Sequence, residues 1–518
     1  MEQTTQPPTH RYNTRSRDAA KPPAEPKATK PVSSRKQTIT SPPPPWELHG
    51  RPPPRFTVDL SLPPEHRYDH ITPHMKAALE QGDVLALFST LIESVTPNAP
   101  FLRASLHLLT RVAFRRVYSD EETAELRGIS RSTGQPMYLL VAFNVLLDLL
   151  LGCTSGGVRY EEPSSCPKSH MVHFRTLDWT MDPLRYLVVE LDFVAHRDGP
   201  VVATTVGYFG YVGVITGVRK GLSLSLNHRA THDRSTLGKR LSYRWHQAMV
   251  LLGHRPSISS TLRHNLFTAS PDIPVPRRRH KHKRVGTTER EKPRPTNITP
   301  GMPTIINALT HAPSTAAYLI FCTPSAAYSL EQDNHTARIH TSSTLLTTCN
   351  HDVAEEESFR PLPLNPRPTN HVPATVKAHS WIPFLSSPHS ADASDTDSAS
   401  SASVDYTPEE IIQLLLEDSI SRKGTVKTVW ASRLEQRRRR NPKSDGVGLE
   451  DVLHMLGAEE ISGEPTHYAV VMDPEHGTVL WRRVYDVGEL DPASDSDSNS
   501  EPESDSGVET DYGSIRGA

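Results

Sequence analysis

The sequence predicts an α+β layered domain, helical in its first third and strand-rich afterwards. Three observations carry that reading. Before residue 152, apolar side chains recur near the helical period. After Cys153, short runs rich in Val, Ile, Leu, Thr and Tyr alternate with Gly, Pro and Asp. Roughly 350 of the 518 residues fall in such patterned stretches, enough to bury most of their apolar surface.

Residues 1–54 read as a disordered, basic, Pro/Ser-rich arm. In RFTVDLSL, Phe56, Val58 and Leu60 alternate with Thr57, Asp59 and Ser61, the pattern of a half-buried strand. Met75, Leu79, Val84, Leu87 and Leu91 then follow a helical repeat, as do Leu102, Leu106, Leu109 and Val112. Ser119 to Glu122 forms a capping box before the next helix. Pro136 opens an apolar helix over 137–151.

Strands are expected in MVHFRTLDW, YLVVELDFVA, GPVVATTVGYFG and VGVITGVRKGLSLSLNHR, then a helical stretch from Leu241 to Phe267. Residues 268–303 cannot be core and read as an inserted loop, or as intron sequence retained in a gene model. Strand signals resume at AAYLIFC, AAYSLEQ and STLLTTCNHD, and a second inserted loop covers 352–404. Pro408 opens an amphipathic helix with Ile411, Leu414 and Leu415. HYAVVMDPEHGTVLWRRVYD places two strands around the turn Asp473–Gly477, and residues 486–518 form an acidic disordered tail.

Composition excludes several classes. With 57 Lys and Arg against 59 Asp and Glu, the net charge of −2 argues against a uniformly basic nucleic-acid binder. RRRHKHKR (277–284) and RRRR (437–440) are read as solvated charge in loops at least as readily as a nucleic-acid, nuclear or anionic-lipid signal. Four cysteines, Cys153, Cys166, Cys322 and Cys349, are too few for a disulfide scaffold. No signal peptide is visible, which favours an intracellular protein. The most apolar stretch, 137–151, is too short and carries Asn144 and Asp148, so no membrane span is expected. The 26 histidines form no Cys/His zinc spacing.

The residues that could carry chemistry are individually ambiguous. Cys153 opens Cys-Thr-Ser-Gly-Gly at the helix-to-strand junction and reads as a nucleophile or as a buried structural cysteine. Arg175 and Asp178 lie three apart in HFRTLDW, so on a strand they face opposite ways. Asn350 in TTCNHD could cap a turn or donate to an oxyanion, and Asn227 in SLNHR is open in the same way.

Taken in order, these motifs resemble the acid ceramidase and N-acylethanolamine acid amidase family of N-terminal-nucleophile cysteine hydrolases. RFTVDLSLPPEHRYDHI is similar to the start of the family's α-subunit, and ELRGISRSTGQPMYLLVAFNVLLDLLLGCTS to the segment ending at its self-cleavage site. HFRTLDW matches its Arg-x-x-Asp motif, and TTCNHD the segment bearing its oxyanion Asn. GYVGVITGVRKGLSLSLNHR and THYAVVMDPEHGTVLWRRVYD are similar to its later strands.

The resemblance implies an αββα sandwich of N-terminal-nucleophile hydrolase type, with a 55–152 α-subunit-like segment and a 153–485 β-subunit-like segment from one precursor. It implies cleavage between Gly152 and Cys153, after which the Cys153 thiol is the nucleophile and its own α-amine the base. Asp178 would hold that amine, Arg175 would favour the thiolate and Asn350 would donate to the oxyanion. Arg422 in EDSISRKG is the choice for a further active-site Arg, and Asn227 belongs to the same set. No metal or cofactor is needed. The substrate would be a lipid amide, ceramide first and N-acylethanolamine as the alternative. The apolar helix 137–151 would offer a face to membrane or acyl chain, although core is its commoner use.

One departure is His228, where the family's ceramidases carry Glu; a histidine there can be cationic at acidic pH. Two other readings remain: a non-catalytic interaction protein on the same fold, and a basic-arm binder of nucleic acid or membrane surface. Convergence of Cys153, Arg175, Asp178 and Asn350 separates the first of these from an enzyme.

Overall fold

The computed structural model describes residues 49–82, 89, 100–146, 152–163, 168–179, 181–229, 231–267, 301–359 and 408–490. Most of the N-terminal arm, both loop centres, the acidic tail, Cys166 and the 277–284 basic run lie outside the described residues.

Two antiparallel-rich sheets stack face to face. The larger has the order β1-β4-β5-β6-β7-β8-β9-β10, the smaller β11-β2-β3-β12-β13. In the larger sheet β1 (Arg55–Asp59) runs parallel to β4 (Val188–Val194) at the edge. β5 (Val201–Tyr208), β6 (Thr216–Arg219), β7 (Leu222–His228), β8 (Ala317–Cys322), β9 (Ala327–Asp333) and β10 (Thr336–Ser342) follow antiparallel. The smaller sheet holds β2 (Gly152–Glu161), β3 (Ser169–Asp178), β11 (Leu345–Thr348), β12 (Thr466–Asp473) and β13 (Thr478–Val484).

Helices cover both outer faces. α1 (Thr72–Gly82), α2 (Pro100–Ala113), α3 (Asp120–Thr133), α4 (Met137–Leu146), α5 (Leu237–Leu251), α6 (Ile258–Phe267) and α7 (Met302–His311) belong to the larger sheet's side. After the short α8 (Val353–Ser358), α9 (Pro408–Arg440) and α10 (Leu449–Leu456) cover the smaller sheet through Val426, Leu434, Val452 and Leu453. The layers are therefore α-β-β-α.

Strand periodicity explains the split. On β3, Val172 and Phe174 join the core under α9 and α10, while His173, Arg175 and Leu177 turn toward the larger sheet. β2 carries adjacent glycines because the chain is crowded there. A Cβ on Gly156 would sit 2.0 Å from the Leu346 carbonyl oxygen, and one on Gly157 2.5 Å from Ala327 Cβ.

Several expectations need correction. The 241–267 helical stretch is two helices, broken at Gly253, whose φ is +69°, and Pro256. Ser119 caps α3 by accepting from Glu122 N–H, but the Glu122 carboxylate binds Ser260 Oγ at 2.9 Å instead of closing the capping box. Asp352 does not begin a structureless insert: it caps α8 through a capping box. Arg437–Arg440 are not loop charge but the last turn of the 33-residue α9, where cations suit the helix dipole, and Arg437 pairs with Asp451. Contacts also start before residue 55, with Arg51 bridging Val484. No helix among the described residues is long and apolar enough to cross a membrane.

Candidate active site

β2 begins with the Gly152–Cys153 pair, registered against Asp178 and Leu177 of β3. Cys153 is fully buried and takes its place between the sheets because its strand neighbours alternate between the two layers. Arg175, also fully buried, reaches across from β3. Its Nη2 donates to Cys153 Sγ at 3.1 Å and to the Leu226 carbonyl at 2.8 Å. Its Nη1 donates to Thr216 Oγ1 at 2.7 Å and to the Ile215 carbonyl. Cys153 Sγ faces the same Leu226 carbonyl at 3.7 Å.

A second set of contacts forms on the backbone side of Cys153. Cys153 N–H donates to Asn350 Oδ1 at 3.0 Å. Asn350 is fixed by three further bonds: its Nδ2 to the His228 carbonyl at 2.8 Å, its own N–H to Ser419 Oγ at 2.8 Å, and Arg422 Nη2 to its Oδ1 at 3.2 Å. Arg422, held on α9, also donates to Thr154 Oγ1 at 2.9 Å, Asp178 Oδ2 at 3.4 Å and Asp418 Oδ2 at 3.0 Å. Asp178 Oδ1 accepts from Thr466 Oγ1 at 2.8 Å.

All six sequence-nominated residues thus gather around one peptide bond. As the alternation requires, Arg175 and Asp178 approach from opposite faces of β3, Arg175 at the thiol and Asp178 beside Arg422. Asn227 is buried and acts as a strap: its Nδ2 faces the carbonyls of Cys153 (3.4 Å) and Thr348 (2.9 Å), and its Oδ1 accepts from Ser155 Oγ. The Asn350 amide is likewise engaged by Cys153, His228 and Arg422 in the uncut chain, not presented as a free donor. Sequence reasoning missed Thr154, Thr216, Ser419 and Thr466. Thr154 could have been found from its place beside Cys153; the other three come from distant segments without a local signal.

Burial pushes the Cys153 thiol up, and the adjacent Arg175 guanidinium offsets only part of that cost. Burial also works against the Arg422 charge, but Asp418 and then Asp178 help carry its pKa above the ordinary value. His228 behaves differently from the sequence expectation. Burial lowers it to about 4, so it is neutral, not cationic, at mildly acidic pH.

Two stacked sheets thus lie between helical layers, with Cys153 at the start of an inner strand. Residues 51–114 match the family model for the beta subunit of N-acylethanolamine-hydrolyzing acid amidase. Acid ceramidase of Mus musculus is 29% identical over 219 residues, covering 38% of this chain and 50% of the relative. That of Homo sapiens is 28% identical over 204 residues, covering 36% and 48%. The solved structure of the Caenorhabditis elegans N-acylethanolamine-hydrolyzing acid amidase ortholog aligns with a TM-score of 0.35 and 14% identity, over 64% of this chain and 99% of that one. The chain is similar to acid ceramidases over part of its length, and it spans about half the length of the curated relatives it matches.

Proposed function

We propose that this chain is a self-processing cysteine amidase that hydrolyses the amide bond of ceramide or a related N-acyl lipid. The observation that carries the reading is the clamp on Cys153: Arg175 on its sulfur at 3.1 Å and Asn350 on its nitrogen at 3.0 Å. The Cys153 thiol attacks the Gly152 carbonyl, and its proton passes to the departing Cys153 nitrogen. The acyl group moves to sulfur and an α-amine is released. Water then hydrolyses the thioester, restoring the thiol and leaving Gly152 as a carboxylate. The chain is now two subunits from one precursor.

The new amine occupies the position of the former Cys153 N–H, where Asn350 Oδ1 already accepts. With an ordinary pKa near 8 it can take the Cys153 proton, a transfer that burial of the thiol opposes and Arg175 assists. The thiolate, favoured by Arg175, attacks the lipid amide. The amine leaves with a proton, and water cleaves the acyl thioester to a fatty acid. Asp178 and Arg422 act as positioning residues for the amine and Asn350.

The alignments to acid ceramidases favour ceramide, while the match to the amidase β-subunit model supports N-acylethanolamines as the second substrate class. Convergence of the four residues favours catalysis over a non-catalytic scaffold. Lipid contact is better assigned to α2 than to helix 137–146. Leu139 to Phe143 are buried and Asn144 staples that helix to Gly210 and Val212, whereas Phe101, Leu108, Leu109 and Val112 of α2 are exposed.

The test is intact mass and N-terminal sequencing at acid and neutral pH beside Cys153→Ala. A new chain beginning at Cys153, absent in the variant, is expected and is followed by a lipid-amide substrate screen. An uncut chain in folded protein at both pH values would overturn the reading.

A further inference from the structure

We infer that the far end of the smaller sheet holds a divalent transition-metal site, with Zn2+ the best-matched ion, formed by Glu162, His170 and His476. These residues come from two neighbouring hairpins, β2–β3 and β12–β13, brought together because β3 pairs with β12. Each offers a ligand atom, and the three atoms all lie within 4.8 Å of one another. His170 Nδ1 stands 3.6 Å and His476 Nε2 3.7 Å from Glu162 Oε1. A tetrahedral Zn2+ with bonds of about 2.0–2.1 Å sets its ligand atoms about 3.3 Å apart, so the two edges to Glu162 need to contract by only a few tenths of an ångström.

The second observation is Asp473. It is buried beside the two imidazoles, hydrogen-bonded to His476 on the nitrogen that does not face Glu162 and close to the corresponding nitrogen of His170. Its Oδ2 lies 2.7 Å from His476 Nδ1 and its Oδ1 3.1 Å from His170 Nε2. A carboxylate behind a metal-binding histidine fixes its tautomer and leaves the other nitrogen's lone pair aimed at the metal. Asp473 hydrogen-bonds His476 in this way and lies 3.1 Å from His170 Nε2, so it stands behind both rings as seen from Glu162.

The seat is rigid. Asp473 Oδ1 also accepts from Glu475 N–H at 2.8 Å, and the Gly221 N–H of the β6–β7 turn donates to the Pro474 carbonyl at 2.6 Å. Gly477, at φ +73°, passes so close to Lys220 that a Cβ would lie 2.4 Å from its nitrogen. Two imidazoles and one carboxylate suit Zn2+ over Mg2+ or Ca2+, which prefer all-oxygen shells. His170 and the Cys153 partner Leu177 lie at opposite ends of β3, about 23 Å apart at ~3.3 Å per residue. The ion would therefore clamp two hairpins, not take part at the thiol.

The experiment uses the full chain carrying Cys153→Ala, stripped with a chelator and titrated with Zn2+ in a calorimeter, with Co2+ as a spectroscopic probe. About one equivalent is expected to bind, with the visible absorption of tetrahedral Co2+. His476→Gln, a largely exposed position, should weaken binding at least 100-fold while the metal-free chain, short of its Asp473 contact, still melts cooperatively. Asp473→Asn should weaken it roughly 10- to 100-fold. A parallel His280→Gln/His282→Gln variant removes the two histidines of the 277–284 basic run and should bind as the parent does. No uptake by the parent chain, or undiminished uptake by both His476→Gln and Glu162→Gln, would overturn the inference.

Discussion

Replacing His228 with Gln should flatten the loss of stability that the protein suffers on acidification. Burial lowers the His228 pKa from 6.5 to about 4 in the folded chain. Between those two values the unfolded chain binds a proton that the folded chain refuses. The contribution of His228 is therefore fully present above pH 6.5, falls as pH drops toward 4, and changes no further below that. At 1.36 kcal/mol per pKa unit, the shift amounts to about 2 kcal/mol lost between pH 7 and pH 5, and about 3 kcal/mol by pH 4. The assay is urea denaturation of the Cys153→Ala chain with and without His228→Gln, at pH 7 and pH 5. What matters is the difference between the two pH values, because packing changes alter both alike. The variant should lose about 2 kcal/mol less than its parent across this range. His173, His246 and His351, also buried with lowered pKa values, still titrate in both proteins and cancel. Equal losses in parent and variant would refute the argument and return His228 to the role of a cation at acidic pH.

Two further predictions concern the frame of the site. Gly156→Ala places a methyl group 2.0 Å from the Leu346 carbonyl oxygen and 2.7 Å from Phe174 Cζ, so β2 must separate from β11. A loss of about 3 kcal/mol or insoluble expression is expected by thermal melting, and a wild-type melting temperature would contradict the crowding. Arg422→Met leaves Asp178 and Asp418 without their shared cation in a largely buried setting. It should cost about 3 kcal/mol by chemical denaturation and slow processing at Cys153, whereas a loss below about 1 kcal/mol would mean that the carboxylates are well solvated.

The local pattern of the chain determined much of this protein. Alternation in RFTVD and in HFRTLD specified strands and put Arg175 and Asp178 on opposite faces, because side chains on a strand alternate whatever the strand pairs with. Asp473 to Gly477 specified a hairpin turn for a similarly local reason. The family resemblance carried by the order of motifs nominated Cys153, Arg175, Asp178, Asn227 and Asn350, and Arg422 was chosen as the further Arg that the resemblance implies. β2 was harder to read, since its paired glycines lower strand propensity and only the approach of Leu346 and Ala327 explains them. β10 was missed because its polar, largely exposed residues carry no apolar alternation. The parallel pairing of β1 with β4, the arrival of Arg422 on a 33-residue helix, and the meeting of Glu162, His170 and His476 across more than 300 residues were decided only in three dimensions. Periodicity reports which way a side chain points along its own segment. Which distant segment it then meets depends on sheet order and layer packing, and those are set by the burial of the whole chain at once.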